Sequence, residues 1–237
     1  MLYLIGLGLN EKGISQEGIE AVKKCKKIYL ENYTVNFPYS SEKLEKIIGK
    51  KIIPANRELV EGNEIIREAK KEDVALLIYG SPLTATTHIT LIQEARKNNI
   101  NYHIIYNASI LDAVAETGLQ LYKFGKIASM PKWQKNFEPD SFMEIIKDNQ
   151  KINSHSLILI DIDLELEDAI KELEISAKKH KVKIDKIVVC SVLGTEKRKI
   201  IYDEIKNIKD KNVAKPYCII IPSKLHFMEE EVLKEFS

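Results

Sequence analysis

The sequence has no apolar run approaching the about 18 residues that a membrane-spanning helix needs. It also has no basic N-terminal segment followed by a short apolar one. Its three cysteines, Cys25, Cys190 and Cys218, are widely spaced and form no CxxC pair, which argues against a disulfide framework or a zinc site. We therefore expect a soluble, cytoplasmic protein with buried free thiols and no membrane partner.

An excess of charge is also missing. The 36 lysines and arginines nearly balance the 35 aspartates and glutamates, leaving a formal charge of +1, so no nucleic-acid partner is expected. The five histidines are scattered, and none is paired with a cysteine or an acid at metal-ligand spacing, so no metal is expected. A Gly-x-Ser-x-Gly elbow, a P-loop and an HExxH motif are all absent, which argues against acyl transfer, nucleotide hydrolysis and zinc proteolysis.

The most informative segment that is present lies at residues 3–9, where an apolar strand runs into a turn with glycines at 6 and 8. Two glycines one residue apart let backbone amides approach a ligand without interference from Cβ atoms. The dinucleotide fingerprint requires a third glycine at position 11, where this chain has Glu11. The segment predicts a cofactor-binding turn, but not one for NAD.

Apolar β-branched runs alternate with segments of helical periodicity along the whole chain, which predicts an α/β fold. Besides the first strand, strands are predicted at residues 26–30, 74–79, 102–106, 157–160, 187–192 and 217–221. Helices are predicted at residues 15–24, 41–48, 61–71, 86–97, 140–149 and 164–179. Ser15 and Asp140 are the expected first caps of their helices. We expect two α/β domains, residues 1–110 and 111–237, because the turn after the strand at 102–106 is suited to a crossing between domains.

Three further turns follow predicted strands, at residues 80–83, 108–110 and 193–195. Ligands of open α/β sheets bind at the carboxyl ends of strands, so we expect these turns and residues 6–9 to converge on one cleft. Thr86 and Thr87 are expected to cap the following helix, whereas Thr84 and His88 are candidates for ligand contacts.

Two charged sites are expected to have no catalytic role. Asp161 and Asp163 are interpreted as a charged strand end, and His180 as part of a solvated helix terminus.

Four segments, in this order, resemble the diphthine synthases, which belong to the wider tetrapyrrole methylase superfamily. They are Gly-Leu-Gly-Leu at 6–9, Gly-Ser-Pro-Leu-Thr-Ala-Thr-Thr-His at 80–88, Thr-Gly-Leu-Gln-Leu-Tyr-Lys-Phe-Gly-Lys at 117–126 and Ile-Pro-Ser-Lys-Leu-His at 221–226. Asn32-Tyr33-Thr34 and residues 133–149 extend the resemblance from Met1 to about Glu231. Ala-Thr-Thr-His at 85–88 and Tyr-Lys-Phe-Gly-Lys at 122–126 are the specific parts, whereas Gly-x-Gly-Leu is shared across the superfamily.

The resemblance implies two α/β domains with S-adenosylmethionine held in the cleft between them, usually in a homodimer. It implies an S-adenosylmethionine-dependent methyltransferase that adds methyl groups to the amine of the 3-amino-3-carboxypropyl histidine of translation elongation factor 2. It names no general base. Lys123, Lys126, Lys132 and Lys135 are candidates for docking the elongation factor, with solvated lysines as the equal alternative.

The resemblance also implies a set of cofactor contacts at positions of this sequence. They are Leu9, Ser81, Thr84, Ser109, Ile110, Ile160, Leu193 and Tyr217. Ser109 and Ile110 agree with the family pattern, but Ser81 replaces the usual aspartate, Thr84 a common valine, and Tyr217 the histidine of closer members. A neutral hydroxyl in place of a carboxylate predicts weaker cofactor binding, by about 10-fold to 100-fold if nothing compensates.

Two other readings stay open on the sequence. The chain is compatible with a methyltransferase of the same superfamily that acts on a tetrapyrrole or on RNA. Ser81 also leaves room for a degenerate module that binds S-adenosylmethionine without catalysis.

Overall fold

The computed structural model describes residues 1–237. The chain forms two compact units, Met1–Leu111 and Asp112–Ser237, each built on a five-stranded sheet with helices. The predicted α/β fold is confirmed. No helix combines the length and the apolar composition that crossing a bilayer requires.

The strands of the first unit are short and consist largely of apolar residues. They are β1 (Leu2–Gly6), β2 (Lys27–Glu31), β3 (Ile53–Ala55), β4 (Val74–Ile78) and β5 (Tyr102–Ile105). The helices between them are α1 (Gln16–Lys24), α2 (Ser41–Ile48), α3 (Arg57–Glu61), α4 (Glu64–Ala69) and α5 (Ile89–Lys97). A sixth short helix, α6 (Ile110–Ala113), follows the sheet.

All strands of the first sheet are parallel, in the order β3-β2-β4-β1-β5. Side chains of β1 alternate between two apolar layers, as the strand period of two requires. Leu2 and Leu4 pack with α3, α4 and α5, whereas Tyr3 and Ile5 pack with α1 and α2. The sheet is therefore covered on both faces, which explains the continuous apolar runs of β1 and β4.

The second unit contains the remaining strands and helices. Its strands are β6 (Ala128–Met130), β7 (Ser156–Ile160), β8 (Lys186–Ser191), β9 (Lys199–Glu204) and β10 (Tyr217–Ile221). Its helices are α7 (Ser141–Lys151), α8 (Leu166–His180), α9 (Ile205–Ile208) and α10 (Phe227–Lys234), with single helical turns at Val114–Thr117 and Leu121–Lys123.

The second sheet is mixed, in the order β6-β7-β10-β8-β9. Only β6 and β7 are parallel, and the other three pairings are antiparallel. One face packs against α7 and α8, whose apolar stripes include Phe142, Ile146 and Leu173. Cys190 and Cys218 are opposite residues of β8 and β10, and all three cysteines are buried and free, as expected from the sequence.

Most of the predicted elements are present, within one to three residues at their ends. Ser15 caps α1 as predicted, because its Oγ accepts a hydrogen bond from the amide of Gly18 at 3.0 Å. Asp140 precedes α7 as predicted, although its side chain makes no capping bond. The predicted helix at 61–71 is wrong in extent, because α3 ends at Glu61 and α4 starts only at Glu64, after Gly62.

Candidate functional site

Strands β1 and β4 are neighbours in the first sheet, and the chain leaves them toward opposite faces of that sheet. The connection after β1 contains α1, and the one after β4 contains α5, and these helices pack on opposite faces of the sheet. Loops that leave adjacent parallel strands toward opposite faces open a crevice beyond the carboxyl ends, where ligands of such sheets bind. The glycine turns at residues 6–9 and 80–83 lie at that position.

The turns after β1 and β4 are tied to each other through their backbones. The amide of Gly8 donates to the carbonyl of Gly80 at 3.1 Å, and the amide of Gly80 donates to the carbonyl of Gly8 at 2.9 Å. Both glycines adopt positive φ, +66° and +72°, which side-chain-bearing residues rarely do. The glycines that the sequence indicated for ligand approach therefore also close the two turns on each other.

A third turn, after β5, joins this pair through Asn107. Its side-chain amide donates to the carbonyl of Gly6 at 2.9 Å and to that of Gly13 at 2.8 Å. A Cβ atom on Gly6 would lie 2.7 Å from the carbonyl oxygen of Gly80 and 2.9 Å from Cβ of Asn107, so only glycine fits. Asn107 was not predicted as a site residue from the sequence, although an asparagine directly after a strand often indicates a turn held by its side chain.

The predicted contacts of the first unit lie on or next to these three turns. Ser81 and Ser109 are buried, and a Cβ atom on Gly80 would lie 3.7 Å from Cα of Ser109. The Ser109 Oγ accepts a hydrogen bond from the amide of Leu111 at 3.2 Å, at the start of α6. Leu9 is buried, and its carbonyl accepts a hydrogen bond from the Tyr79 hydroxyl at 3.0 Å.

The predicted capping role of Thr86 and Thr87 is wrong. Helix α5 begins only at Ile89, and the Thr86 hydroxyl donates instead to the carbonyl of Pro82 at 2.9 Å. Nδ1 of His88 bonds to the same carbonyl oxygen at 3.1 Å, and Thr87 Oγ1 contacts Glu61 at 3.4 Å. Thr86 and His88 therefore fix the turn that carries Ser81 and Thr84.

The three predicted contacts of the second unit lie at one edge of its sheet. Ile160 is the last residue of β7, Tyr217 is the first residue of the antiparallel β10, and Leu193 follows β8 closely. Tyr217 is paired with Ser191, two residues before Leu193. The expected meeting of turns at the carboxyl ends of parallel strands is found for the three turns of the first sheet, and the turn at residues 193–195 belongs to the second unit.

The hydroxyl of Tyr217 has a partner within its own unit. It donates to the carbonyl of Leu164 at 3.1 Å, and the ring packs in the apolar core. Burial, with smaller effects from Glu165, Glu172 and Asp168, raises the pKa of this hydroxyl well above its usual value. Tyr217 can therefore offer a ligand its ring more readily than its hydroxyl.

A buried ionic cluster in the second unit connects the family-like segments at residues 117–126 and 221–226. Its centre is the carboxylate of Glu229, which accepts hydrogen bonds from the amides of Gln120 at 3.0 Å and His226 at 2.7 Å. Lys123 Nζ and His155 Nε2 also bond to it, the latter at 3.2 Å. Lys123, for which docking and simple solvation were equal alternatives on the sequence, is thus paired with the buried Glu229 and keeps 22% of its side chain exposed.

Other charged residues singled out in the sequence have local partners. Asp161 accepts hydrogen bonds at the turn after β7 from the amides of Lys132 and Asp163, at 3.4 Å and 3.2 Å. His180 is not a freely solvated helix end, because its Nε2 bonds to Asp140 at 2.9 Å and joins the end of α8 to the start of α7. No group of three histidines, cysteines or acids has the arrangement of a metal site.

The turns of the first sheet suit a ligand that is gripped by backbone groups and buried serines. S-adenosylmethionine fits this chemistry, because its adenosyl and amino acid parts offer many donors and acceptors and its sulfonium needs no metal. A parallel sheet with interlocked glycine turns of this kind is suited to an S-adenosylmethionine-dependent methylase.

Comparison with known proteins identifies the family. Residues 1–209 match the tetrapyrrole (corrin/porphyrin) methylases. The diphthine synthase of Methanocaldococcus jannaschii is 40% identical, with 99% of this chain and 98% of that protein covered. The chain therefore belongs to the diphthine synthases of the tetrapyrrole methylase family.

Two further matches support this membership. A diphthine methyl ester synthase of Schizosaccharomyces pombe is 48% identical over 68% of this chain and 58% of its own length. A crystal structure of a diphthine synthase superposes with a TM-score of 0.90 at 32% identity, covering 100% of this chain and 95% of that one. The chain is an S-adenosylmethionine-dependent methyltransferase of diphthamide biosynthesis.

Proposed function

We propose that this protein methylates the amine of the 3-amino-3-carboxypropyl histidine of translation elongation factor 2. The observation that carries the proposal is the set of three interlocked turns at the carboxyl edge of the first sheet, in a chain that belongs to the diphthine synthases. Elongation factor 2 is the acceptor because the pathway of these relatives modifies that protein.

The residues that hold S-adenosylmethionine are, in this proposal, those predicted on the three turns: Leu9, Ser81, Thr84, Ser109 and Ile110. Their support is that the turns bring them to one edge of one sheet. Ile160, Leu193 and Tyr217 are proposed as additional contacts. Their support is the family pattern and their position at one edge of the second sheet.

When bound, S-adenosylmethionine supplies the methyl group as an activated sulfonium. The protein's own task is then to orient a neutral amine, exclude water and remove a proton, and orientation alone is worth effective molarities of about 10⁵ M or more. The hydrogen bonds of Asn107 and His88 prepare this orientation, because they fix the turns before any ligand binds.

The direct test is incubation of the purified protein with S-adenosylmethionine and elongation factor 2 that carries the aminocarboxypropyl histidine. Mass spectrometry of the modified peptide is expected to show methyl groups at that histidine. Unmodified elongation factor 2 is the control and should gain none. Binding of S-adenosylmethionine without methyl transfer would contradict the proposal and identify another acceptor or a binding module.

The same experiment resolves whether an ester forms. Several fungal relatives are named diphthine methyl ester synthases, whereas the archaeal ones are named diphthine synthases. A methyl group lost on mild alkaline treatment is an ester, whereas methyl groups on nitrogen survive it. We propose N-methylation as the main outcome because the relative from Methanocaldococcus jannaschii, which matches over 99% of this chain and 98% of its own length, is named a diphthine synthase.

The proposal includes action in the cytoplasm, where elongation factor 2 works, and assembly as a homodimer. Exposed apolar side chains such as Tyr122 and Phe227 are of the type that dimer interfaces bury. Light scattering coupled to size-exclusion chromatography tests the assembly, since a monomer mass near 27.1 kDa would contradict it.

A further inference from the structure

A second polar cluster lies beyond the carboxyl ends of β2 and β4 in the first unit. Glu31, the last residue of β2, is fully buried, and its carboxylate accepts hydrogen bonds from the amides of Tyr33 at 2.9 Å and Thr34 at 2.7 Å. The Thr34 hydroxyl donates to the other carboxylate oxygen at 2.7 Å. This arrangement keeps a negative charge inside the unit and fixes the chain that carries Tyr33.

His88 brings an unpartnered lone pair to the cluster. Its side chain is only 1% exposed, and Nδ1 faces the Pro82 carbonyl, which can only accept, so in the neutral ring Nδ1 carries the proton. Nε2 is then an acceptor, and it is buried without any hydrogen-bond partner. The hydroxyl of Tyr33 is buried and makes no hydrogen bond of good geometry, although the Thr87 side chain lies beside it. Buried polar atoms without partners are rare in proteins and call for an explanation.

These two unpartnered groups lie close to the same charged residues. Burial mainly lowers the pKa of His88 and mainly raises that of Tyr33, and the carboxylates of Glu31 and Glu61 act on both groups. The guanidinium of Arg57 stacks over the Tyr33 ring, 5.2 Å from its centre. The cluster therefore combines a positive group, two carboxylates, a free hydroxyl and a free imidazole lone pair.

This set of groups matches an α-amino acid end, which carries an ammonium and a carboxylate on one carbon. A carboxylate would bond to the Tyr33 hydroxyl and pair with Arg57, and an ammonium would donate to His88 Nε2 near Glu31 and Glu61. Two of the segments by which the chain resembles its family, residues 32–34 and 80–88, contribute to this cluster, and the Thr87 side chain of the second lies beside the Tyr33 hydroxyl of the first.

We propose that Tyr33 and His88 bind the aminocarboxypropyl end of the acceptor, with Tyr33 and Arg57 on its carboxylate and His88 Nε2 on its amine. This inference rests on the proposed function and names its acceptor site. The amine must lose a proton before it can attack a methyl group. His88 Nε2 accepts that proton, so the ammonium becomes a neutral amine and the imidazole becomes an imidazolium, with no other atom exchanged.

S-adenosylmethionine also ends in an α-amino acid group, so the test must separate the two ligands. The variants are Tyr33→Phe, which removes only the hydroxyl, and His88→Asn. Asparagine places its amide nitrogen where histidine has Nδ1, so it keeps the bond to Pro82 and removes Nε2. The matched controls are Tyr102→Phe and His103→Asn, whose side chains bond to Arg96 and Glu17 on the surface of the same unit.

Calorimetry measures, for each protein, the affinity for S-adenosylmethionine and for elongation factor 2 with and without the aminocarboxypropyl group. We expect Tyr33→Phe and His88→Asn to weaken binding of the modified elongation factor by about 10-fold or more, as loss of a charged hydrogen bond predicts. Affinity for S-adenosylmethionine should change by less than about 2-fold, and the controls should match the parent protein.

A pH profile supplies a readout that a purely structural role would not change. The parent protein should lose methylation rate in acid as His88 is protonated, below the ordinary histidine pKa of 6.5 because burial lowers it. The carboxylates that act on the His88 ring, Glu31 and Glu61, are still present in His88→Asn, and this variant should lack the acid limb.

Three results would overturn the inference. A loss of affinity for S-adenosylmethionine instead of the acceptor would assign the cluster to the amino acid end of that ligand. Unchanged affinities for both ligands would leave the cluster a structural one. If the parent protein binds S-adenosylmethionine but neither binds nor methylates the modified elongation factor, the proposed function fails first, and the acceptor site fails with it.

Discussion

His155 and His88 are both buried, yet the structure uses their ring nitrogens in opposite ways. In the second unit, His155 Nδ1 accepts from the amide of Ser223 at 3.0 Å and Nε2 bonds to Glu229 at 3.2 Å. In the first unit, His88 has one bonded nitrogen and one buried nitrogen without a partner. Burial alone therefore does not distinguish a structural histidine from a candidate functional one. The number of ring nitrogens that make hydrogen bonds does distinguish these two.

The neighbours of the two histidines differ in the same way. Around His155, every bond of the Glu229 cluster runs to another residue of the same unit, so the cluster is complete without a ligand. Around His88, the Tyr33 hydroxyl is left over as well. The closed cluster around Glu229, in which every polar group is bonded, should contribute to stability. The open cluster around His88, in which polar groups lack bonds, should contribute to ligand binding.

Replacing Glu229 by glutamine should give the largest loss of stability. The substitution leaves Lys123 without its counter-charge and replaces an acceptor oxygen by a donor that faces backbone amides. Breaking a buried ion pair on one side costs about 3 to 5 kcal/mol, which urea unfolding would measure. Glu230→Gln is the control, because Glu230 pairs with Lys234 on the surface of the same helix. Similar losses for both variants would show that the cluster does not stabilise the unit.

Acid should weaken the closed cluster in a defined pH window. Burial raises the pKa of Glu229, but hydrogen bonds from His226, Lys123, Gln120 and His155 outweigh it and lower the pKa to about 2 from an ordinary 4.5. A carboxyl with a lowered pKa stabilises the folded state fully above 4.5 and loses that contribution as pH falls toward about 2. Unfolding free energies across this window should fall more steeply for the parent protein than for Glu229→Gln. Parallel curves would contradict the prediction.

Gly6→Ala should disturb the interlocked turns of the first unit. The added Cβ atom would meet the Gly80 carbonyl oxygen at 2.7 Å, and backbone cannot move aside as a flexible side chain can. Overpacking of this kind costs about 1 to 3 kcal/mol, and we expect binding of S-adenosylmethionine to be lost with it. Gly49→Ala is the matched control: its φ of +70° makes it strained, but its Cβ would meet nothing within 4 Å. Retained binding by Gly6→Ala would contradict the assignment of these turns to the cofactor.

Ser81→Asp should introduce the carboxylate that the family resemblance leads one to expect at this position. Ser81 is buried, so a carboxylate at this position would be shielded from water. A hydrogen bond donated by a ligand would therefore stabilise it strongly. We expect about 10-fold tighter binding of S-adenosylmethionine together with lower stability of the ligand-free protein. Ser81→Ala, the control, should weaken binding by less than about 10-fold. Unchanged affinity of Ser81→Asp would show that this position does not contact the cofactor.

The sequence predicted the interior of both sheets better than their edges. The central strands are continuous apolar runs, which the strand pattern detects well. The three strands that were missed, β3, β6 and β9, all lie at sheet edges. Strand β3 contains Pro54, and β9 carries Lys199 and Asp203, as edge strands that avoid further pairing often do. Their pairing depends on the neighbouring strand more than on their own residues.

The candidate site divides in the same manner. The glycine turns were predictable, because a glycine pair after an apolar strand is a local signal. The wrong cap at Thr86 also came from a local rule, since a threonine before a helix normally bonds to its first turn. Its hydroxyl is taken by the Pro82 carbonyl, four residues back, and the Asn107 amide reaches Gly6 across the sheet. Such bonds depend on how separate segments are arranged in the folded protein, and this arrangement cannot be predicted from the spacing of residues along the chain.

Tyr217→Phe should give the smallest effect and sharpen the contrast between closed and open polar groups. The Tyr217 hydroxyl is satisfied inside its own unit by the carbonyl of Leu164 at 3.1 Å, so it resembles the closed cluster and not the unpartnered Tyr33. Its removal should cost about 1 kcal/mol of unfolding free energy and leave the affinity for S-adenosylmethionine unchanged, as paired urea unfolding and calorimetry would show. Tyr33→Phe should behave in reverse, with little change in stability, because its hydroxyl makes no hydrogen bond of good geometry and only lies beside Thr87. A Tyr217→Phe protein that keeps full stability but binds the cofactor more weakly would contradict this prediction. It would mean that the Tyr217 hydroxyl leaves the Leu164 carbonyl to bond to the ligand. A hydrogen bond in the ligand-free protein would then no longer identify a purely structural group.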